Sequence, residues 1–311
     1  MTKTWPRALL LGIASSVFFS VTYVVNSAMA QSGGDWLWSA SLRYLFMLPI
    51  LLVLTAKSGW APVWQEIRRA PGKWLLWSLI GFGAFYAPMT FASAYGPGWM
   101  VAGTFQFTSF AGALETPLFR DENGARRRIP VRLFPAFAII IFGVFLLQLE
   151  QMRLEADLAR ALLFSVPVLI SAFAYPLGNR KTMELCENRL NTMQRVLAMT
   201  VCSLPLWLLM AAIGTLRSGF PPPAQLARGL AVAVFSGVTA TVVFFKATAL
   251  VRTQPQRLAL VESTQCGEVI FSLIGGILLL GDAWPGSFGW LGLVLIVGGM
   301  IINSWLASHS R

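Results

Sequence analysis

Hydrophobic runs of about twenty residues alternate with short polar connections along the whole chain. Ten stand out, at 8–28, 36–56, 73–94, 99–119, 133–149, 161–178, 193–213, 227–250, 258–280 and 287–307. A helix rises 1.5 Å per residue, so each run is long enough to cross about 30 Å of hydrocarbon. Several connections are only a few residues, which forces neighbouring helices into antiparallel hairpins. The ninth run differs from the rest because it carries Glu262, Gln265 and Glu268 among its apolar residues. A carboxylate at the bilayer centre costs about 2.5–3.5 kcal/mol on insertion scales, so two of them are poor decoration. At 100° per residue, Glu262, Gln265, Glu268 and Ser272 share one stripe, which is expected to face a polar cavity rather than lipid.

Composition agrees with the pattern. The chain is 56% hydrophobic and 12% charged with a mean hydropathy of +0.65, whereas soluble domains carry about 25% charged residues. No soluble domain fits between the runs, and the chain reads as a polytopic, all-α membrane protein. The net charge of +11 does not indicate nucleic-acid binding, because the basic residues sit in short clusters between hydrophobic runs rather than on one solvated face. The three cysteines, Cys186, Cys202 and Cys266, have no metal or redox spacing and read as free thiols, with Cys186 in a basic loop. Near the N-terminus, Ala28-Met29-Ala30 has the small-x-small look of a signal-peptidase site. The run before it is longer than a signal core and Asn26 interrupts it, so the segment reads as a retained helix.

Lys and Arg set the orientation. Alternate connections and the two termini hold Lys3, Arg7, Lys57, Arg68, Arg69, Lys73, Arg120, Arg126, Arg127, Arg128, Arg132, Arg180, Lys181, Arg189, Arg195, Arg252, Arg257 and Arg311, which is 18 of the 24 basic residues. The other side holds Arg153, Arg160, Arg217 and Arg228. The positive-inside rule then places both termini in the cytoplasm of a multi-pass protein of the cell membrane, expected to be a bacterial inner membrane. Trp36, Trp38, Trp60, Trp64, Trp74, Trp99, Trp284 and Trp305 fall near helix ends, as an interfacial belt would. The segment 60–69 is expected to lie along the inner surface.

Five helices followed by five more is the arithmetic of an inverted repeat, since an odd number per half turns the second half over. The halves are 1–150 and 151–311, forming one integrated transport domain. Local echoes support the division: Arg43 follows Asn26 at nearly the interval by which Arg195 follows Asn179. A repeat interface at the midplane is where such transporters place the substrate.

These features carry a resemblance. Ten helices in two inverted halves, an Arg in the second helix within SASLRYLFMLP, and a ninth helix closing on LLLGD resemble the EamA-like ten-helix branch of the drug/metabolite transporter superfamily. Within it, NSAMAQSGGDWLWSASLRY, PGWMVAGTFQFTSFAG, AYPLGNRKTM and VESTQCGEVIFSLIGGILLLGD resemble the multidrug resistance efflux transporter family. The resemblance spans essentially the whole chain. It departs at Asp282, where the superfamily ends Leu-Gly-Glu, and at Phe119-Arg120-Asp121-Glu122, which lacks the glycine. The four-helix small multidrug transporters are similar only distantly, and their membrane Glu is not mapped here. The resemblance implies a secondary transporter that exports a small organic molecule.

The embedded polar residues are the candidate site. Glu268, about ten residues from either end of its helix, suits reversible protonation and hence proton antiport. Glu262 and Lys246 lie at similar depth near the basic side and are expected to pair, as a structural ion pair or as a gate. Arg43 is expected to reach inward to a carboxylate rather than snorkel out, and Arg occupies the same place in the family pattern. Glu115 lies beside Arg120 at a helix end and reads as a satisfied interfacial charge. Asn26, Gln106, Thr108 and Asn179 line a cavity or bond a neighbouring helix. Tyr23, Tyr86, Trp99 and Tyr175 stack on a substrate or pack. Gly289, Gly292, Gly298 and Gly299 are expected to form a close-packing surface. No Walker pattern, HExxH or Ser/His pair is present, and the one histidine is His309, so a membrane enzyme is the weaker class. No cofactor or metal is implied. Carboxylates suit a cationic substrate; Arg43, Arg195 and Lys246 equally suit an anion or a zwitterion such as an amino acid, exported or moved by an uncoupled facilitator. Whether the protein is a monomer or a homodimer stays open.

Overall fold

Each hydrophobic run becomes a helix in the computed structural model, which describes residues 4–120, 124–155, 157–187, 189–251 and 254–308. Lys3, Asp121, Glu122, Arg252, His309 and Arg311 lie outside the described residues. In order, the helices are α1 (Thr4–Gln31), α2 (Trp36–Thr55), the short α3 (Ala61–Arg69), α4 (Pro71–Ala92), α5 in two pieces (Gly98–Phe105 and Thr108–Leu114), and α6 (Phe134–Glu155). The second half supplies α7 (Leu158–Cys186), α8 (Thr192–Ser218), α9 (Pro223–Val251), α10 and α11 (Ser287–Ser308). Helix α10 runs from Pro255–Ser263 through the tight turn Thr264–Cys266 to Gly267–Gly275 and Gly276–Leu280. Nine spans among the described residues are long and apolar enough to cross a membrane. The tenth expected span is α5, whose break keeps it from counting as one helix.

Local chemistry explains the starts and breaks. Asp35 accepts from the Leu37 amide at 2.7 Å to open α2, and Asn191 and Gln194 form a reciprocal capping box at the start of α8. Helix α5 breaks at 106–107, where the Gln106 side chain donates to the Ala102 carbonyl at 3.1 Å and competes with the backbone ladder. Wide π-type turns occupy Leu79–Ala84 in α4 and Val232–Ala240 in α9. Helix α7 continues past its expected end to Cys186 and stops where Glu187 takes φ 44°. Asn179, Arg180 and Lys181 are therefore inside a helix, and Cys186 is a buried helix-end residue instead of a loop thiol.

The helices pair across the two halves. Helix α2 packs on α8, α6 on α11, α1 on α9 and α10, α4 on α7, and α5 on both α7 and α10. The closest approach joins Gly81 of α4 and Gly178 of α7, where a Cβ on Gly178 would run into the backbone of Gly81. Their absent side chains let the helices touch backbone to backbone. In α11 the expected small-residue surface holds in part: Gly292 meets the Gly143 carbonyl and Gly299 meets Ala136 and Ile140 of α6, whereas Gly298 faces open space. The aromatic belt also needs correcting. Trp60, Trp64, Trp284 and Trp305 are exposed, but Trp38, Trp74 and Trp99 are buried core residues, because α2, α4 and α5 turn those positions toward neighbouring helices. Helix α3 keeps Val63 and Glu66 inward and Trp60 and Trp64 outward, as a surface-lying helix does.

Candidate functional site

Glu268 lies at the start of the Gly267–Gly275 piece of α10, directly after the tight turn Thr264–Cys266. Its Oε2 accepts from the Tyr23 hydroxyl of α1 at 3.3 Å. Tyr23 is buried, whereas Glu268 is half-buried and keeps accessible surface. Facing them is Tyr175 of α7, 39% exposed although its ring packs on Phe85 and Phe105 at 4.8 and 5.8 Å. The charges of Glu268, Arg195 and Arg43 all act on Tyr175, and those of Glu268 and Arg43 on Tyr23. Residues from α1, α2, α7, α8 and α10 therefore converge on one space.

Arg43 points inward, but its partners differ from those the sequence suggests. Its Nη1 donates to Thr22 Oγ1 at 2.9 Å, and Thr22 in turn donates to Ser236 Oγ of α9 at 2.5 Å. The guanidinium lies 4.5 Å from the Tyr86 ring centroid and 5.8 Å from that of Tyr44. Among the described residues no carboxylate comes within ion-pair distance of it, and its buried Nε has no partner. The tyrosine π faces stand in for the expected counter-ion. Tyr86 also exchanges hydrogen bonds with Asn26 at 3.2 Å, and Tyr44 stacks on Trp207 at 4.3 Å. Thr22, Tyr44, Trp207 and Ser236 went unread in the sequence. The one available signal is that Thr22 precedes Asn26 by a helical turn, so both share a face of α1.

Other candidates separate. Gln265 also faces α1, donating to Ser15 Oγ at 3.0 Å, but Glu262 is exposed and Ser272 bonds its own helix carbonyl at Val269. A tight turn at Thr264–Cys266 separates Glu262 from the Glu268 turn of the helix. Lys246 and Glu262 do not pair: both are exposed, and Ala247, Val251 and Val261 fill the space between α9, α10 and α1 as a small apolar core with Ala8. Gln106 is buried and spends its amide on its own helix, and Trp99 is buried packing. Thr108 and Asn179 are half-buried; Asn179 bonds the Tyr175 carbonyl at 2.9 Å, and its own carbonyl accepts from Arg195 at 3.2 Å. Glu115 is not a satisfied surface charge. It is 6% exposed with neither carboxyl oxygen hydrogen-bonded, while Arg120 turns away to the Gly124 carbonyl. Among the described residues no group of three His, Cys, Asp or Glu could hold a metal ion.

The two ends of the bundle are tied differently. At the end bearing Gln31 and Asp282, hydrogen bonds cross between helices of both halves. Arg228 donates to the Ala28 carbonyl at 3.0 Å, Gln31 to Asp282 at 3.1 Å, Gln225 to Ser39 at 2.9 Å, and the Gly286 amide to Glu150 at 2.8 Å. The Tyr23 carbonyl also lies against Gly98 of α5. At the basic end the halves are also tied, through other helices: Arg180 to the Gly112 carbonyl and Lys181 to that of Leu118 join α7 to α5, Gln194 to Ser58 and Gly59 joins α8 to the α2–α3 turn, and Arg189 bonds Glu66 of α3. Asn26, Tyr86 and Arg43 are buried, whereas Glu268, Tyr175 and Arg195 keep accessible surface.

Three comparisons bear on this arrangement. A family model described as "EmrE: Putative multidrug resistance efflux transporter" matches residues 6–309. The uncharacterized protein YjlA of Bacillus subtilis (strain 168) is 48% identical over 314 residues, covering 98% of this chain and 96% of YjlA. An uncharacterized 42.1 kDa protein encoded in the intracellular alkaline protease 3' region of Shouchella clausii is 47% identical over 268 residues, 84% of this chain and 70% of its own. A solved structure titled only "Crystal structure of protein" superposes with a TM-score of 0.63 at 13% identity, over 96% of this chain and 98% of that one, a likeness of fold alone.

Proposed function

The chain belongs to the multidrug resistance efflux transporter family, and on that premise we propose that it is a secondary transporter exporting a small organic molecule by alternating access, coupled to protons through Glu268. It is a multi-pass membrane protein of a transporter family and not an enzyme. The observation that carries the reading is Glu268, a carboxyl within a membrane-spanning helix held by one tyrosine hydroxyl and otherwise open to the space it shares with Tyr175. One carboxylate in low dielectric accommodates a proton or a cationic substrate, not both at once, and that exclusivity is what antiport requires.

Alternating access follows if 1–150 and 151–311 are inverted repeats. Turning one half onto the other matches α1 to α7, α2 to α8, α4 to α9, α5 to α10 and α6 to α11. The pairs α2–α8, α5–α10 and α6–α11 then map onto themselves, and α1–α9 exchanges with α7–α4. Part of the irregularity matches as well: α4 and α9 both carry wide turns and α5 and α10 both carry breaks, while the wide turn Gly276–Leu280 is peculiar to α10. Repeats so related swap conformations by rocking about a shared site. We take the accessible surface of Glu268, Tyr175 and Arg195 to open toward the basic end, which with the termini cytoplasmic is the side from which an exporter collects its substrate.

A second reading is favoured by Arg43, whose buried charge lacks a carboxylate. A zwitterion could place its carboxylate toward Arg43 and its ammonium toward Glu268. Inverted vesicles given labelled organic cations and amino acids, with and without an imposed pH gradient, separate the two. Glu268→Gln should abolish pH-driven accumulation, and full accumulation by that variant would sink proton coupling through this residue.

A further inference from the structure

We propose that Glu115, at the basic end of α5, is a second proton-binding site of the transporter, with Arg180 as the group that takes the place of the released proton. The inference rests on the transport reading but has its own test. Four observations meet there. Glu115 caps the Thr108–Leu114 piece, directly after its last turn, where the helix carries its partial negative charge and a carboxylate is disfavoured. The side chain is 6% exposed, and both carboxyl oxygens lack a hydrogen-bond donor. A buried carboxylate left without donors is severely penalised, and carrying its own proton removes the penalty. The nearest cation is engaged elsewhere: Arg180 of α7 donates to the Gly112 carbonyl, one turn back along α5, with its guanidinium stacked near Phe119 at 5.9 Å.

Among the described residues the charged surroundings are few. From α7 come Arg180 and Lys181, the latter occupied by the Leu118 carbonyl at 3.1 Å and by Glu184 at 2.8 Å. Arg127 of the α5–α6 connection acts on Arg180 and bonds the Arg120 carbonyl at 3.1 Å. From α6 the contact is a ring, Phe137 on Phe110 at 5.7 Å. Among the described residues, Arg180 alone is placed to swing from a carbonyl to the carboxylate. The exchange balances: the carboxyl O–H bond breaks, the proton leaves to water at the basic end, and the guanidinium trades a neutral acceptor for an ionised one. Both acceptors lie on α5, so the move keeps α5 fastened to α7 and shifts the tie about one turn toward the basic end, with Lys181 still on the Leu118 carbonyl.

Infrared difference spectra of the purified full chain in lipid, recorded between acidic and alkaline buffer, test the site without any substrate. A carbonyl band of a protonated, unbonded carboxylic acid should titrate in the parent, vanish in Glu115→Gln and persist in Glu268→Gln. Superimposable spectra for the parent and Glu115→Gln overturn the proposal. Because Glu115→Gln can misfold, the parent is also treated with dicyclohexylcarbodiimide, which adds to protonated carboxyls, and digested for mass spectrometry. Modification of Glu115 that disappears in alkaline buffer is the expected result. An unmodified Glu115 in a sample whose Glu268 is modified overturns it. A titrating Glu115 in a protein that moves no solute would leave this site standing and remove the transport reading instead.

Discussion

The Tyr23 hydroxyl donates to Glu268 across 3.3 Å, joining the first helix of the chain to the ninth span. This hydrogen bond is the one described polar contact between the proposed coupling carboxyl and another helix, so it fixes the rotamer in which the acid waits. Tyr23→Phe keeps the ring packing and removes only the donor. Loss of one such bond is worth about 0.5–1.5 kcal/mol, so the variant should stay folded with a thermal midpoint close to the parent. Its pH-driven transport should fall roughly tenfold, the equivalent of about 1.4 kcal/mol. Unchanged transport in vesicles would mean that Glu268 needs no orientation from α1.

Arg43 makes the opposite case, a charge held without a counter-ion. Arg43→Ala strips no carboxylate of its partner, so the loss is the contact with Tyr86 and Tyr44, worth about 2 kcal/mol when desolvated, and the bond to Thr22, worth about 1. The sum, about 3 kcal/mol, falls at the low end of the roughly 3–5 kcal/mol that follows from breaking a buried ion pair. Arg43→Lys should not rescue it fully, because an ammonium lacks the planar face that lies on Tyr86. Unfolding of the three proteins in detergent checks the order. A Lys variant as stable as the parent would show that charge alone holds the site.

Much of the architecture was legible because membrane burial imposes a coarse code. An apolar run must be a helix, and the carboxylates inside one must have a reason, so Glu268 and Arg43 stood out from residue type alone. What resisted reading depends on which helices pack together. Glu262 is exposed while Gln265 and Glu268 bond to α1, a difference set by which neighbours pack at each depth and not by the spacing of the three residues along the helix. Glu115 was misread for a similar reason: Arg120 is nearby in sequence, but the chain turns between them and Arg180, distant in sequence, is the cation that faces the carboxyl. Likewise Trp74 and Trp99 sit near helix ends, yet those ends pack into protein rather than into the interface.

At the basic end, Arg189 clamps α3 to the α7–α8 connection. Its Nε meets Glu66 Oε1 at 2.5 Å, its Nη2 meets Glu66 Oε2 at 3.2 Å, and it also bonds Glu187. The hydrogen bond from Arg189 and its charge hold the Glu187 carboxyl below its ordinary value. A depressed carboxyl contributes stability above its unfolded pKa of about 4.3 and loses it as pH falls through the lower folded value. Acid below about pH 4 should therefore loosen this corner first. Arg189→Ala, which leaves the buried Glu66 with only Arg69 at 3.9 Å, should lower the thermal midpoint more than Glu187→Gln does. Equal midpoints for the two variants would show that Glu66 does not depend on Arg189.

Accessibility along the central space should be graded. Tyr175 is 39% exposed and Asn26 is 1% exposed, although both point into the region around Arg43 and Glu268. The hydrogen bonds near Gln31 and Asp282 close the space beyond Asn26, and on the basic side α5 is held by α7 through Arg180 and Lys181. In a background with Cys186, Cys202 and Cys266 replaced, Tyr175→Cys should react with a membrane-impermeant thiol reagent added from the side of the basic loops, and Asn26→Cys should stay unlabelled from either side. Ser218→Cys, at the exposed end of α8, should react only from the opposite face and serves as the topological reference. Rocking the halves must reverse the first two results, because the same helices that seal Asn26 in this state have to part there in the other. An imposed pH gradient that drives transport should therefore raise labelling of Asn26→Cys from the far side while lowering that of Tyr175→Cys. Labelling of both residues from the same face, under every gradient, would rule out alternating access around this site and leave a channel-like path in its place.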